Sequence, residues 1–161
     1  MTIKIVAGEW ANLQGLGDDI LREARPRVEH VMKQALVYFE GAIKKKLTGK
    51  RSGRTYKVSK TGALHVASAP GEPPAVLTGN FRNSVGHSGP TWDSYSVGGE
   101  VGVGLGAKPA GGEQDPGETY ARRLELGGID SRGIMIERRP YIATTADEVE
   151  AVLTDLFERG I

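Results

Sequence analysis

Residues 18–49, DDILREARPRVEHVMKQALVYFEGAIKKKLTG, decide the fold. Ile20, Ala24, Val28, Val31, Met32, Ala35, Phe39, Ala42, Ile43 and Leu47 recur every three or four positions, and at 3.6 residues per turn that spacing gathers them into one apolar stripe. Asp18 and Asp19 suit a helix start, where a short carboxylate can accept from the free amides of the first turn. Lys44, Lys45 and Lys46 put positive charge at the carbonyl end of the helix dipole, and Gly49 allows the chain to leave it. The stretch therefore predicts a helix. Pro26, with no N–H to donate, is expected to kink or divide it, leaving a main segment over 25–48.

On the N-terminal side, Ile3 and Ile5 alternate with polar neighbours, a strand pattern over 2–6 that stops at Gly8. On the C-terminal side, 51–75 is studded with turn formers (RSGR, KTG, PGEPP) and reads as a hairpin-like or extended loop. Residues 81–87, 94–98 and 100–105 read as short strands of an antiparallel meander, with Val101, Val103 and Leu105 on one face and Gly102 and Gly104 on the other. Residues 106–118 are rich in Gly and Pro and contain no β-branched or aromatic side chain, which predicts a flexible excursion. Residues 134–142 suggest a last strand. Thr145 and Glu148 have capping-box spacing, predicting a final helix with an apolar stripe of Val149, Val152, Leu153, Leu156 and Phe157 that ends at Gly160. The class is α+β: a long N-terminal helix and a C-terminal helix packed on a small antiparallel sheet with long flexible loops, in a single domain over 1–161.

Composition narrows the function. With 21 Lys and Arg against 20 Asp and Glu, the net charge is +1, so no whole-chain field draws the protein to nucleic acid or to an anionic membrane; such contact needs local clustering. There is no Cys, hence no disulfide, thiolate metal site or sulfur nucleophile. No apolar run nears the length of a membrane span, and the first ten residues lack a signal-peptide layout, which predicts a soluble, unexported chain. Glycine, at 23 of 161 residues, is about twice its usual share and aromatics make up only 6%. A core so poor in side-chain volume leaves part of the stability to neighbouring subunits.

The motifs that usually carry chemistry are weak here. Gly102-x-Gly104-x-Gly106 has the glycines of a phosphate loop but neither an immediate helix nor a Gly-Lys-Ser/Thr, and reads as glycine on a crowded strand. Gly86-His87-Ser88-Gly89-Pro90 has Pro90 where a nucleophile elbow needs glycine, and reads as a turn. His30, His65 and His87 share no ligand spacing, and the carboxylate pairs Asp18/Asp19 and Glu148/Glu150 sit at helix starts. No catalytic residue, metal ligand or cofactor is expected. The charge run is more pointed: Lys44, Lys45, Lys46, Lys50, Arg51, Arg54, Lys57 and Lys60 occur with no acid between Glu40 and Glu72. Two readings stand. One is a solvated helix end and loop; the other is a nucleic-acid-binding module in which Lys50, Arg51, Arg54 and Lys57 face phosphates beside Tyr56.

Two further segments carry a family resemblance. SAPGEPPAVLTGNFRNSV at 68–85 resembles the "APGEPPA...TGxLRxSI" stretch that follows the long helix in the phage HK97 gp10-like family. YARRLELGG at 120–128, followed by RPYI at 139–142, is similar to that family's "YAxxLExGT...RPFLxPA" segment, in the same order and spacing. The chain departs from the pattern at Phe81 for Leu, Gly128 for Thr and Tyr141 for Phe, and in the long 106–118 loop. The resemblance implies a non-enzymatic virion protein of a tailed bacteriophage, a head–tail joining (neck) or tail-completion subunit assembled in the host cytoplasm. It implies a homo-oligomeric ring, hexamer or dodecamer, that contacts the connector or head-closure protein and the tail, with DNA passing through its lumen and no membrane partner. Thr78, Gly79, Phe81 and Arg82 would turn the chain into the sheet. Tyr120, Leu124, Leu126 and Gly127 would anchor a strand, and Arg139 and Pro140 would direct the chain into the last helix. The same residues are candidate interface markers, and Lys50, Arg51, Arg54 and Lys57 candidate lumen or ring contacts.

Overall fold

A computed structural model of the chain describes residues 2–7, 18–59, 61–93, 96–106, 117–129 and 133–160, with side chains from residue 23 onward except at 117–119. The fold is α+β. In chain order the elements are β1 (Thr2–Ala7), α1 (Asp18–Leu47), β2 (Thr55–Lys57), β3 (Leu64–Val66), α2 (Asn80–Asn83), β4 (Val85–Asp93), β5 (Ser96–Val103), α3 (Gly117–Leu126), β6 (Gly128–Ile129), β7 (Met135–Ile136) and α4 (Ala143–Gly160).

The apolar stripe does what its spacing predicts. Val28, Val31, Met32, Ala35, Phe39, Ile43 and Leu47 are buried, joined by Leu36, and α1 lies along a three-stranded antiparallel sheet of order β1-β5-β4. Pro26 does not divide the helix, which runs unbroken from Asp18. The residue is exposed, so its ring costs no core packing even though the helix gives up a hydrogen bond there.

β5 is the central strand. Val97, Val101 and Val103 point toward α1, and Gly99 leaves room for Leu36, whose methyl carbons lie 2.6 and 2.8 Å from where a Cβ would stand. α4 packs chiefly against α1, with Val149 buried and Leu153 and Phe157 partly so, whereas Val152 faces outward. At its end Gly160 meets Val31 closely enough that a Cβ would collide with it at 2.2 Å.

Several expected strands are corrected, and the two expected over 94–98 and 100–105 are the single strand β5. Residues 81–83 belong to the one-turn helix α2, because Gly79 adopts a left-handed φ of 84° and starts a turn that strand geometry cannot follow. The segment around Tyr120, Leu124 and Leu126 is the helix α3, in which Ala121, Leu124 and Glu125 are buried at helical spacing. The last strand shrinks to β7, paired with β6. The stretch 86–90, expected as a turn, lies inside β4, where a register shift between Ser88 and Thr91 takes up the irregularity. The region 51–75 is hairpin-like as expected, with β2 and β3 paired antiparallel. Most of the 106–118 excursion, the side chains of Asp18 and Asp19, and Lys60 lie outside the described residues.

Candidate functional site

The two halves of the second motif meet in one construction. Glu125, fully buried on α3, turns its carboxylate onto the start of α4: Oε2 accepts from the backbone N–H of Tyr141 at 2.9 Å and of Ile142 at 3.1 Å, and Oε1 accepts from Ala143 at 2.9 Å. A helix N-terminus presents free N–H groups and partial positive charge, so a buried carboxylate there is matched both by hydrogen bonds and by the dipole. The acid does the work expected of Thr145. That residue lies inside α4 and donates its hydroxyl to the Tyr141 carbonyl at 2.5 Å, and Glu148 reaches across to Lys46 at 2.7 Å instead of capping. The junction is closed by Arg139 N–H donating to the Leu124 carbonyl at 2.6 Å and by Arg138 donating through Nε to the Glu125 carbonyl.

The first motif lands on the same junction. Thr78 Oγ1 accepts from the Asn80 amide at 3.3 Å, and Gly79 starts α2. Phe81 then packs edge-on against both Tyr120 (5.9 Å between ring centres) and Tyr141 (5.5 Å). Burial, with Glu125 and Tyr120 nearby, pushes the Tyr141 phenol above its ordinary value, and its hydroxyl has no hydrogen-bond partner among the described residues. Arg139 donates to the Ser68 carbonyl, and the Gly71 amide to the Arg138 carbonyl, so the PGEPP loop is tied to the chain entering α4. Thr78, Gly79, Phe81, Tyr120, Leu124, Arg139 and Pro140 thus belong to one scaffold. Gly127, with φ 75°, ends α3 by donating to Arg123. Leu126 and Arg82 lie on its surface, Leu126 about half exposed and Arg82 against Asn83.

The basic run divides in two. Lys44 is held by Glu40 and Lys46 by Glu148. Arg51 is engaged within the chain: its guanidinium donates to the carbonyls of Lys46, Leu47, Gly49, Lys50 and Pro74, closing the C-terminus of α1 where orphan carbonyls gather. Burial there draws its pKa below the ordinary arginine value, opposed by the charge of Glu72. Glu72 accepts from the Ser52 hydroxyl (2.6 Å), the Ser52 amide (3.1 Å) and the Ala69 amide (2.9 Å). Those hydrogen bonds, the Ser52 hydroxyl first, hold its carboxyl down at about 2. Lys50, Arg54 and Lys57 remain exposed beside the β2–β3 hairpin, where Tyr56 stacks edge-on against His65 at 5.2 Å.

Two open troughs mark the rest of the surface. An open trough of about 750 Å³ runs along α1 past Val37, Tyr38, Gly41 and Lys45 to Pro73 and Glu148, and a smaller one of about 420 Å³ lies between Leu47, Lys50, His65 and Val76. Nothing lies within 4 Å of a Cβ built on Gly41, so the folded chain itself has no need of glycine there. Gly102, Gly104 and Gly106 form no phosphate cradle, because the amides of Gly104 and Gly106 both donate to the Ser84 carbonyl. The histidines are dispersed: His30 contacts Gln34, His65 contacts Tyr56, and His87 meets Glu40 at 2.5 Å across the α1–β4 junction. Burial works to raise the Glu40 carboxyl, but hydrogen bonds from Lys44 and His87 hold it below its usual value. Among the described residues no group of three His, Cys, Asp or Glu could hold a metal ion, and no helix is long and apolar enough to cross a membrane.

No protein-family model, curated protein or solved structure matches the chain. Sequence reasoning missed Glu125 and Glu72 as structural acids. The only signals were an acid set between two leucines at 124–126 and another between prolines at 70–74.

Proposed function

We propose that the chain is a structural subunit of a tailed-phage neck, a head–tail joining or tail-completion protein that closes into a hexameric or dodecameric ring between the connector and the tail and catalyses nothing. The observation that carries this reading is the Glu125 cap. The two parts of the second motif, YARRLELGG and RPYI, are separated in sequence yet are one physical unit, and Phe81 of the first motif packs on it. Residues that resemble the family's pattern are thus the ones that set how α3, α4 and the sheet meet.

The surface supports the reading in a second way. Large apolar side chains stand exposed on several elements, Val37 and Tyr38 on α1, Leu126 on α3 and Met135 on β7, as expected of a protomer that buries area against copies of itself. Measuring the mass of the purified protein over a range of concentrations, with imaging of assembled particles, tests the proposal. Closed rings and density at the neck are expected. A chain that stays monomeric at the highest concentration, in particles that join tails normally without it, overturns it.

A further inference from the structure

We infer that the β2–β3 hairpin, with Lys50 at its base, is a contact for the phosphodiester backbone of a nucleic acid, read without base sequence. Three observations lead there. First, the fold sorts the basic run by use. Lys44, Lys46 and Arg51 are engaged by Glu40, Glu148 and backbone carbonyls, whereas Lys50, Arg54 and Lys57 are exposed and take part in no ion pair among the described residues.

Second, positive charge is in local excess: eight cations and no acid lie between Glu40 and Glu72. Glu72 ends the acid-free stretch, and its carboxylate is committed to Ser52 and Ala69 at the base of the arm. Its charge stays at the base of the arm, one carboxylate beside Lys50, Arg54 and Lys57, and the local surplus of lysine and arginine gains from a polyanion that releases its counterions.

Third, the arm is preformed. Gly53 donates to the Ala67 carbonyl and Ala67 to the Arg54 carbonyl, with Gly53 so close to 67–69 that a Cβ would stand 2.6 Å from the Ala67 carbonyl oxygen. In the β2–β3 register Tyr56, 41% exposed, lies opposite His65, and strand alternation sets this aromatic pair on one face of the ribbon, next in line to Arg54, with Lys57 on the other. Backbone cations flanking an aromatic face are the elements of sequence-tolerant binding. The inference stands apart from the ring reading, since it concerns what the isolated arm touches.

The test is fluorescence anisotropy of the full chain with a labelled DNA duplex of about 30 base pairs, and with one of its strands alone, at about 25 and about 100 mM salt. Three phosphate contacts give a log–log salt slope near −2.7 for duplex, about a 40-fold loss over that fourfold change, and about 20-fold for the single strand. The variant K50Q/R54Q/K57Q is expected to abolish binding at the lower salt, while K33Q/R159Q, which removes cations elsewhere, stays within about twofold. Y56A separates the two sources: unchanged affinity marks the duplex as the ligand, and a loss of about tenfold or more on the single strand marks unpaired bases stacked on the ring. Absence of binding at about 25 mM salt, full binding by the triple variant with an unchanged melting temperature, or equal binding to polyglutamate overturns the inference; none of these outcomes bears on ring formation.

Discussion

Replacing Glu125 by alanine is the sharpest test of the scaffold. The carboxylate satisfies three backbone donors at the start of α4, and the residue is fully buried. An exposed N-cap is worth about 0.5–2 kcal/mol, but a buried donor left without a partner costs about 1–3 kcal/mol each. Three orphaned donors set an upper range near 9 kcal/mol, and water entering the vacated volume lowers it; we expect about 3–5 kcal/mol, the usual cost of removing one side of a buried charged interaction. For a domain of this size that is a fall in Tm of about 10 °C, and in urea, with a slope near 2 kcal/mol per molar, a midpoint lower by about 2 M. Glu125→Gln keeps one accepting oxygen but turns an amide N–H₂ toward a backbone donor, so it should fall between the two, at about 1–3 kcal/mol. Hydrogen exchange localises the effect: the amides of Tyr141, Ile142 and Ala143 should lose protection first. A Glu125→Ala protein within about 0.5 kcal/mol of the parent would refute the reasoning, since surface changes alone produce that much.

Two glycines should respond in opposite directions. Gly106→Ala would set a Cβ 2.3 Å from the carbonyl oxygens of Asn83 and Val85, backbone atoms that cannot swing aside, and should cost about 1–3 kcal/mol in a thermal melt. Gly41→Ala meets nothing within 4 Å and should raise stability by about 0.5–1 kcal/mol; a drop would mean that the helix is not regular there. Glu72 gives a pH prediction. Its carboxyl is held at about 2 against an ordinary 4.5, so the loop anchor is fully present above pH 4.5 and is lost as pH falls through 2. An NMR titration should find the Glu72 carboxyl midpoint near 2, with the Ser52 and Ala69 amides shifting alongside; a midpoint above 4 would show that the three hydrogen bonds do not hold in solution.

Periodicity within one segment was readable before any coordinates. The α1 stripe, the final helix and the valine face of β5 each follow from spacing that a short window contains, because burial of an amphipathic element demands it whatever it packs on. The turn at Thr78 and Gly79 was implied by the family resemblance, and the left-handed φ of Gly79 is the local feature that makes it. Local rules misled where a distant group supplied what the local one offered. Thr145 and Glu148 have the spacing of a cap, yet Glu125, from another helix, satisfies the amides of 141–143 more completely, and α4 starts two residues earlier as a result. The helix α3 was hidden because YARRLEL is too short for its spacing to separate helix from strand, and only packing against the core identifies Ala121 and Leu124 as one face.

The candidate contact surface divides in the same way. The sequence by itself determined that a block of cations lies between Glu40 and Glu72, since charge is a property of composition. Only the tertiary structure decided which of them are available. Arg51 differs from Lys50 and Arg54 because the end of α1 and the Pro74 carbonyl converge on its guanidinium, and among the described residues Glu72 forms no ion pair with the exposed cations because Ser52 and Ala69 hold its carboxylate. Whether a charged side chain faces solvent or closes a helix depends on which backbone groups the fold leaves without partners, and that is set by the meeting of segments far apart in the chain.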